Sequence, residues 1–106
     1  MRVLFDQGTP APLRTLLSLH QIETAYERGW GQLTNGDLLS AVEREGFEVF
    51  VTTDKNLVSQ QNLARLPFAI IVLSSTSWPR IRLASDAVGS AIDATRPGTI
   101  AEVNIP

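Results

Sequence analysis

Arg2-Val3-Leu4-Phe5-Asp6-Gln7-Gly8-Thr9-Pro10 decides the fold. Arg2 to Phe5 is a short apolar run rich in strand formers, as in a buried central strand of a parallel sheet, and it stops at Asp6-Gln7-Gly8. Thr9-Pro10 has the form of an N-cap followed by proline in a first helical turn, with Leu13, Leu16 and Leu17 continuing at helical spacing. A buried strand feeding directly into a helix, with an acid at the junction, is the opening unit of an α/β fold.

The pattern repeats outward from there. Ile22 to Tyr26 reads as a second strand towards an edge, followed by the turn-like Glu27-Arg28-Gly29-Trp30-Gly31. Thr34-Asn35-Gly36-Asp37 resembles a capping box with Asp in the acidic position, and the helix it opens, through Leu38, Leu39 and Val42, should stop near Glu45-Gly46. Phe47 to Thr52 is a strand, Asp54 falls just beyond it, and a helix from about Lys55 to Arg65 is closed by Pro67. Phe68 to Leu73 is the longest apolar run, an interior strand. Trp78-Pro79 starts a last helix through Ile81, Leu83, Val88 and Ile92, and Ile100 to Ile105 is a short final strand. The expectation is an α/β fold in a single three-layer domain: a mostly parallel central sheet of about five strands flanked by helices, with right-handed crossovers and the first strand central.

The totals narrow the function classes. The chain has 106 residues, 43% of them hydrophobic, which suits one domain with a modest core. Nine Lys and Arg stand against eleven Asp and Glu, so bulk positive charge does not attract nucleic acid. Cysteine is absent, which removes disulfides, thiol catalysis and thiolate metal sites and suits a cytoplasmic location. The apolar start is far too short for a signal peptide, and no run reaches membrane-spanning length.

In open α/β sheets ligands bind beyond the carboxyl ends of the strands. Asp6 and Asp54 both occupy that position, and Asp37 joins them if its helix begins at the same edge. Three converging carboxylates resist joint ionisation unless a cation neutralises them, and oxygen-only ligands select Mg2+ or Mn2+. Such an ion promotes phosphodiester hydrolysis. Lys55 would then stabilise charge on phosphate, Thr52 and Thr53 would orient ligands or water, and Asn35, Asn56 and Gln61 would contact substrate, with Gln60 and Asn62 nearby on an amide-rich helix face. Each acid also has a purely structural use: Asp6 in an Asx-turn, Asp37 and Asp54 as helix caps. Trp30 and Trp78 either stack on a base or cover a core edge, the second being the commoner use. Arg80 and Arg82 read as solvent-facing charges. His20, the sole histidine, reads as a helix C-terminal cap.

Leu4-Phe5-Asp6-Gln7-Gly8-Thr9-Pro10, Asn35-Gly36-Asp37-Leu38-Leu39 and Val51-Thr52-Thr53-Asp54-Lys55-Asn56-Leu57 resemble the three motifs of a compact PIN-like family, similar to toxin nucleases of the VapC type. The resemblance spans nearly the whole chain. It implies metal-dependent RNA cleavage with Asp6, Asp37 and Asp54 as metal-binding acids, a small antitoxin partner, and homodimerisation. Many relatives carry Glu where this chain has Gln7, and a further acid where it has Asn56. Those neutral amides motivate the alternative of a catalytically silent module that binds RNA or a protein partner. A third use of the fold is self-association through the final strand.

Overall fold

The computed structural model describes residues 1–60 and 66–106. In chain order the elements are β1 (Arg2–Phe5), α1 (Leu13–Leu16), β2 (Gln21–Thr24), α2 (Asn35–Arg44), β3 (Val49–Thr52), α3 (Lys55–Gln60), β4 (Ala69–Leu73), α4 (Trp78–Leu83), α5 (Ser85–Ala94) and β5 (Ile100–Val103). The strands form one five-stranded sheet in the order β2-β1-β3-β4-β5, with every neighbouring pair parallel. β1 is interior, but the centre belongs to β3, whose four residues are all buried.

Strand alternation divides the apolar residues between two layers. Val3, Phe5, Val49, Val51, Ile71 and Leu73 pack with Leu13 of α1 and Leu17 at its end, Ile81 of α4, and Val88 and Ile92 of α5. Leu4, Phe50, Ile70 and Val72 point the other way, onto Leu38, Leu39 and Val42 of α2 and Leu57 of α3. The three-layer α/β architecture expected from the apolar runs is therefore the observed one.

Layer membership also fixes the relative hand of the crossovers. β1 to β2 steps one way along the sheet over the α1 face, while β2 to β3 and β3 to β4 step the other way over the opposite face, so these three share one hand. β4 to β5 continues in the second direction but returns to the α1 face, so its hand is opposite. The expectation of uniformly right-handed crossovers fails at this last connection, against a strong general preference.

Local chemistry explains most boundaries. Thr34 caps α2 by accepting the Asp37 N–H at 3.4 Å, and Gly46, at φ +74°, ends the helix where a side chain would be strained. α1 is much shorter than its leucine spacing suggests. Leu13, Arg14 and Thr15 donate to the carbonyls of Pro10, Ala11 and Pro12, which is tight i to i−3 turn geometry, and two prolines in this segment supply no N–H. The continuous apolar spacing from Ile81 to Ile92 is broken at Ala84 into α4 and α5. His20 does not cap a helix: its ring lies 3.0 Å from Asp93 Oδ1 on α5 and 3.3 Å from the Met1 amino group. Both tryptophans cover core edges, Trp78 beside the α1-side core and Trp30 edge-on to Phe47 at 6.2 Å.

Arg28 ties β2 to the end of α2. Its guanidinium donates to Glu23 through Nε at 2.8 Å and Nη2 at 3.0 Å, reaches Glu45 at 2.9 Å, and lies over the rings of Trp30 and Phe47. The hydrogen bonds from Arg28 are the main cause holding the Glu23 carboxyl below its ordinary value of 4.5, aided by the charges of Arg28 and Arg2 and opposed by partial burial. A depressed folded-state pKa stabilises the fold above the unfolded value and loses that contribution as pH falls through the folded value. Urea denaturation across pH should therefore show Arg28→Met less stable than wild type at neutral pH, with the gap narrowing below about pH 4.5. A gap that stays constant with pH would assign the effect to lost packing on Trp30 and Phe47.

Candidate functional site

β1 and β3 are neighbours whose following connections leave to opposite faces, α1 on one side and α3 on the other. That divergence opens a crevice beyond their carboxyl ends. Asp6 follows β1 directly and stays on the sheet, its N–H donating to Val51 O at 3.0 Å. Asp54 lies two residues past β3. Sequence reasoning placed both acids at this edge, and they are here.

Two threonines hold the first acid. Asp6 Oδ1 accepts the Thr9 N–H at 3.0 Å and its hydroxyl at 2.7 Å, and Oδ2 accepts the Thr52 hydroxyl. Thr9, read from the sequence as a helix cap, thus serves Asp6 instead. The Thr52 hydroxyl, wholly buried, also accepts the Asp54 N–H at 3.0 Å. A single oxygen joins the two acids, donating to one and accepting from the other. Asp54 Oδ1 accepts the Asn56 N–H at 2.9 Å in an Asx-turn that opens α3, while Oδ2 lies 3.4 Å from Asn35 Nδ2.

Asn35 is the first residue of α2, so that helix does begin at this edge. Asp37 comes two residues later, about 200° around the helix, and residues so spaced do not share a face. With Asn35 turned to Asp54, Asp37 is exposed. Among the described residues no three acidic, histidine or cysteine side chains are placed together to hold a metal. The expected convergence of three carboxylates is met by two. Lys55 is also directed elsewhere, its ammonium 3.8 Å from Glu102 on β5, with both side chains exposed. Thr53 lies in the crevice against Gly8, where an added Cβ would fall 2.7 Å from its hydroxyl oxygen. Gln61 lies outside the described residues, as does Asn62.

Cavities flank the Asp6 loop on both sides. One, of about 190 Å3, is lined by Asp6, Gln7, Trp30, Gly31 and Asn35. The other, of about 400 Å3, runs from Asp6 past Thr9 and Pro10 to Arg14, Tyr26 and Glu27. Tyr26, 79% exposed on its rim, was hidden in the sequence by an assignment to the second strand, which ends at Thr24. A cavity of similar size, about 410 Å3, lies at the opposite, amino edge of the sheet between His20 and α5, and neither acid reaches it.

The oxygen chemistry of the pair admits a hard divalent cation. Against the two lone pairs of each carboxylate oxygen, the hydrogen bonds above leave one on Asp6 Oδ2 and one on each oxygen of Asp54. Mg2+ is commonly held by one or two carboxylates, with waters and substrate phosphates filling its other positions. Comparison with family models, curated proteins and solved structures returned no match.

Proposed function

We propose that the chain is a Mg2+- or Mn2+-dependent nuclease that hydrolyses phosphodiester bonds of single-stranded RNA at the Asp6–Asp54 crevice. The observation that carries this reading is the Thr52 hydroxyl, which donates to the Asp6 carboxylate and accepts the backbone N–H of Asp54, tying both acids to the switch point of a parallel sheet. The motif resemblance supports it and adds the expectation of a small antitoxin partner.

A divalent cation at this pair would polarise a phosphoryl oxygen and lower the pKa of a bound water. The protein's own groups position the reactants. Thr9 and Thr52 fix the Asp6 carboxylate, and Asn35 with the Asn56 N–H orients that of Asp54. Tyr26 offers an exposed ring at the rim of the larger cavity, where an unpaired base can stack without needing bulk positive charge. Fixing the carboxylates beforehand spares the reaction the cost of ordering them.

The test is incubation of an unstructured oligoribonucleotide with Mn2+ and purified protein. Cleavage is expected, dependent on metal and lost in Asp54→Asn, while Tyr26→Ala should weaken RNA binding by roughly tenfold without abolishing turnover, a stacked base being worth about 1–3 kcal/mol. Turnover unchanged in Asp54→Asn would remove this site from the chemistry.

A second reading, the silent module, rests on the absence of a third acid at the edge among the described residues and on the neutral amides of Gln7 and Asn56. RNA bound at the same crevice but left intact under every metal condition would favour it.

A further inference from the structure

The larger cavity beside Asp6 ends in a carboxylate that the cation chemistry does not use. Glu27 lines it together with Arg14, Thr24 and Tyr26. Thr24 and Glu27 exchange the two bonds of a capping box although only a turn follows: the Thr24 N–H donates to Glu27 Oε1 at 3.0 Å, and the Glu27 N–H donates to the Thr24 hydroxyl at 3.1 Å. Arg14 Nη1 donates to the same Oε1 at 2.6 Å and reaches Ile22 O at 3.5 Å. The Thr24 N–H first, and Arg14 second, hold the Glu27 carboxyl below its ordinary value of 4.5. Thr24 is buried and paired with Phe5 of β1, so the box is anchored to the sheet one strand away from Asp6.

The groups left over form a pattern. Both lone pairs of Oε1 are engaged, whereas among the described residues nothing donates to Oε2. Arg14 likewise keeps the donors of Nε and Nη2. The cavity therefore ends in donors set beside an acceptor, next to the exposed ring of Tyr26. A phosphate is repelled from that end by Glu27, and Arg14 already neutralises the carboxylate that a cation would need. An unpaired base, stacked on an aromatic ring and read along its edge, carries no charge and suits both groups.

Guanine matches the order of these groups best. Its edge runs from two acceptors, N7 and O6, to two donors, N1–H and N2–H. The acceptors suit the free donors of Arg14, and the donors suit the two lone pairs of Oε2. Adenine and cytosine offer Oε2 a single amino group, and uracil offers one N–H between two carbonyls, of which one would face the carboxylate.

We propose that this cavity is a guanine subsite, in which Tyr26 stacks on the base, Arg14 donates to O6 and N7, and Glu27 Oε2 accepts from N1–H and N2–H. Neighbouring strands lie about 4.8 Å apart, so the guanosine adjoins the phosphate held at Asp6, and cleavage falls beside it. The inference rests on the RNA-cleaving reading above and adds to it the base that is read.

Fluorescence anisotropy of the metal-free full chain with 2′-O-methyl uridine octamers reads base preference apart from cleavage, the central position being guanosine, inosine, 7-deazaguanosine, adenosine, cytidine or uridine. Guanosine should bind about tenfold tighter than adenosine, cytidine or uridine. Inosine, which lacks the N2 amino group, and 7-deazaguanosine, which lacks N7, should each lose most of that gain. Glu27→Gln sets an amide donor in place of Oε2 and should bring guanosine down to the level of uridine. Circular dichroism reports its folding, and the base analogues carry the test if it does not fold. Equal binding of all the bases, or a guanosine preference kept in folded Glu27→Gln, would overturn the guanine subsite while leaving Asp54-dependent cleavage standing. Failure of every octamer to bind would overturn it together with the RNA reading.

Discussion

Asp6→Asn should lower metal-dependent RNA cleavage about a thousandfold, the loss that corresponds to about 4 kcal/mol of transition-state stabilisation. The same change should cost the fold only about 1 kcal/mol. These differ because the two roles of Asp6 need different things. Structurally it accepts from Thr9 and Thr52, and an asparagine oxygen can still accept one of those hydroxyls while its amide donates to the other. As a cation ligand it needs a negative oxygen, which asparagine lacks. Urea denaturation and cleavage rates on the same preparation separate the two. Loss of activity matched by gross destabilisation would instead make Asp6 a structural residue.

Thr52→Val is the second large effect and isolates the hydroxyl that joins the acids. Its side chain is fully buried and nearly the shape of valine, so the substitution deletes a donor to Asp6 and an acceptor for the Asp54 N–H while keeping the volume. Leaving those groups unpaired should cost about 1–3 kcal/mol of stability. Activity should fall about 10–100-fold, as for other partners that orient metal ligands. Thr52→Ser restores the hydroxyl but removes a buried methyl, so it should recover most of the activity while remaining about 1 kcal/mol less stable than wild type. Equal losses in the two variants would show that packing, and not the hydrogen bond, supports the site.

The sequence carried the layered sheet because its signals are local. Val3 to Phe5 and Ala69 to Leu73 are apolar without interruption, which only an interior strand covered on both faces requires, and each lies within one residue of the run read from the sequence. Asp6 and Asp54 were legible for the same reason, since each stands just past such a run. What failed depended on distant partners. The bond from the Thr9 hydroxyl to Val51 O on β3 is invisible in a Thr-Pro pair that reads as a helix start. Asp37 was expected to join the acids, and the preference of Asn35 for Asp54 turns it out. Strand order, and with it the central place of β3 and the reversed hand of the last crossover, is set by which helices cover which face. No single segment encodes that.

Isothermal titration of Mn2+ into metal-free protein, with an uncleavable single-stranded oligonucleotide analogue present to complete the coordination sphere, tests the central claim most directly. Saturable binding to wild type that is lost in both Asp6→Asn and Asp54→Asn is the predicted result. Absence of binding to wild type, or binding that survives both substitutions, would contradict a metal site at the Asp6–Asp54 crevice.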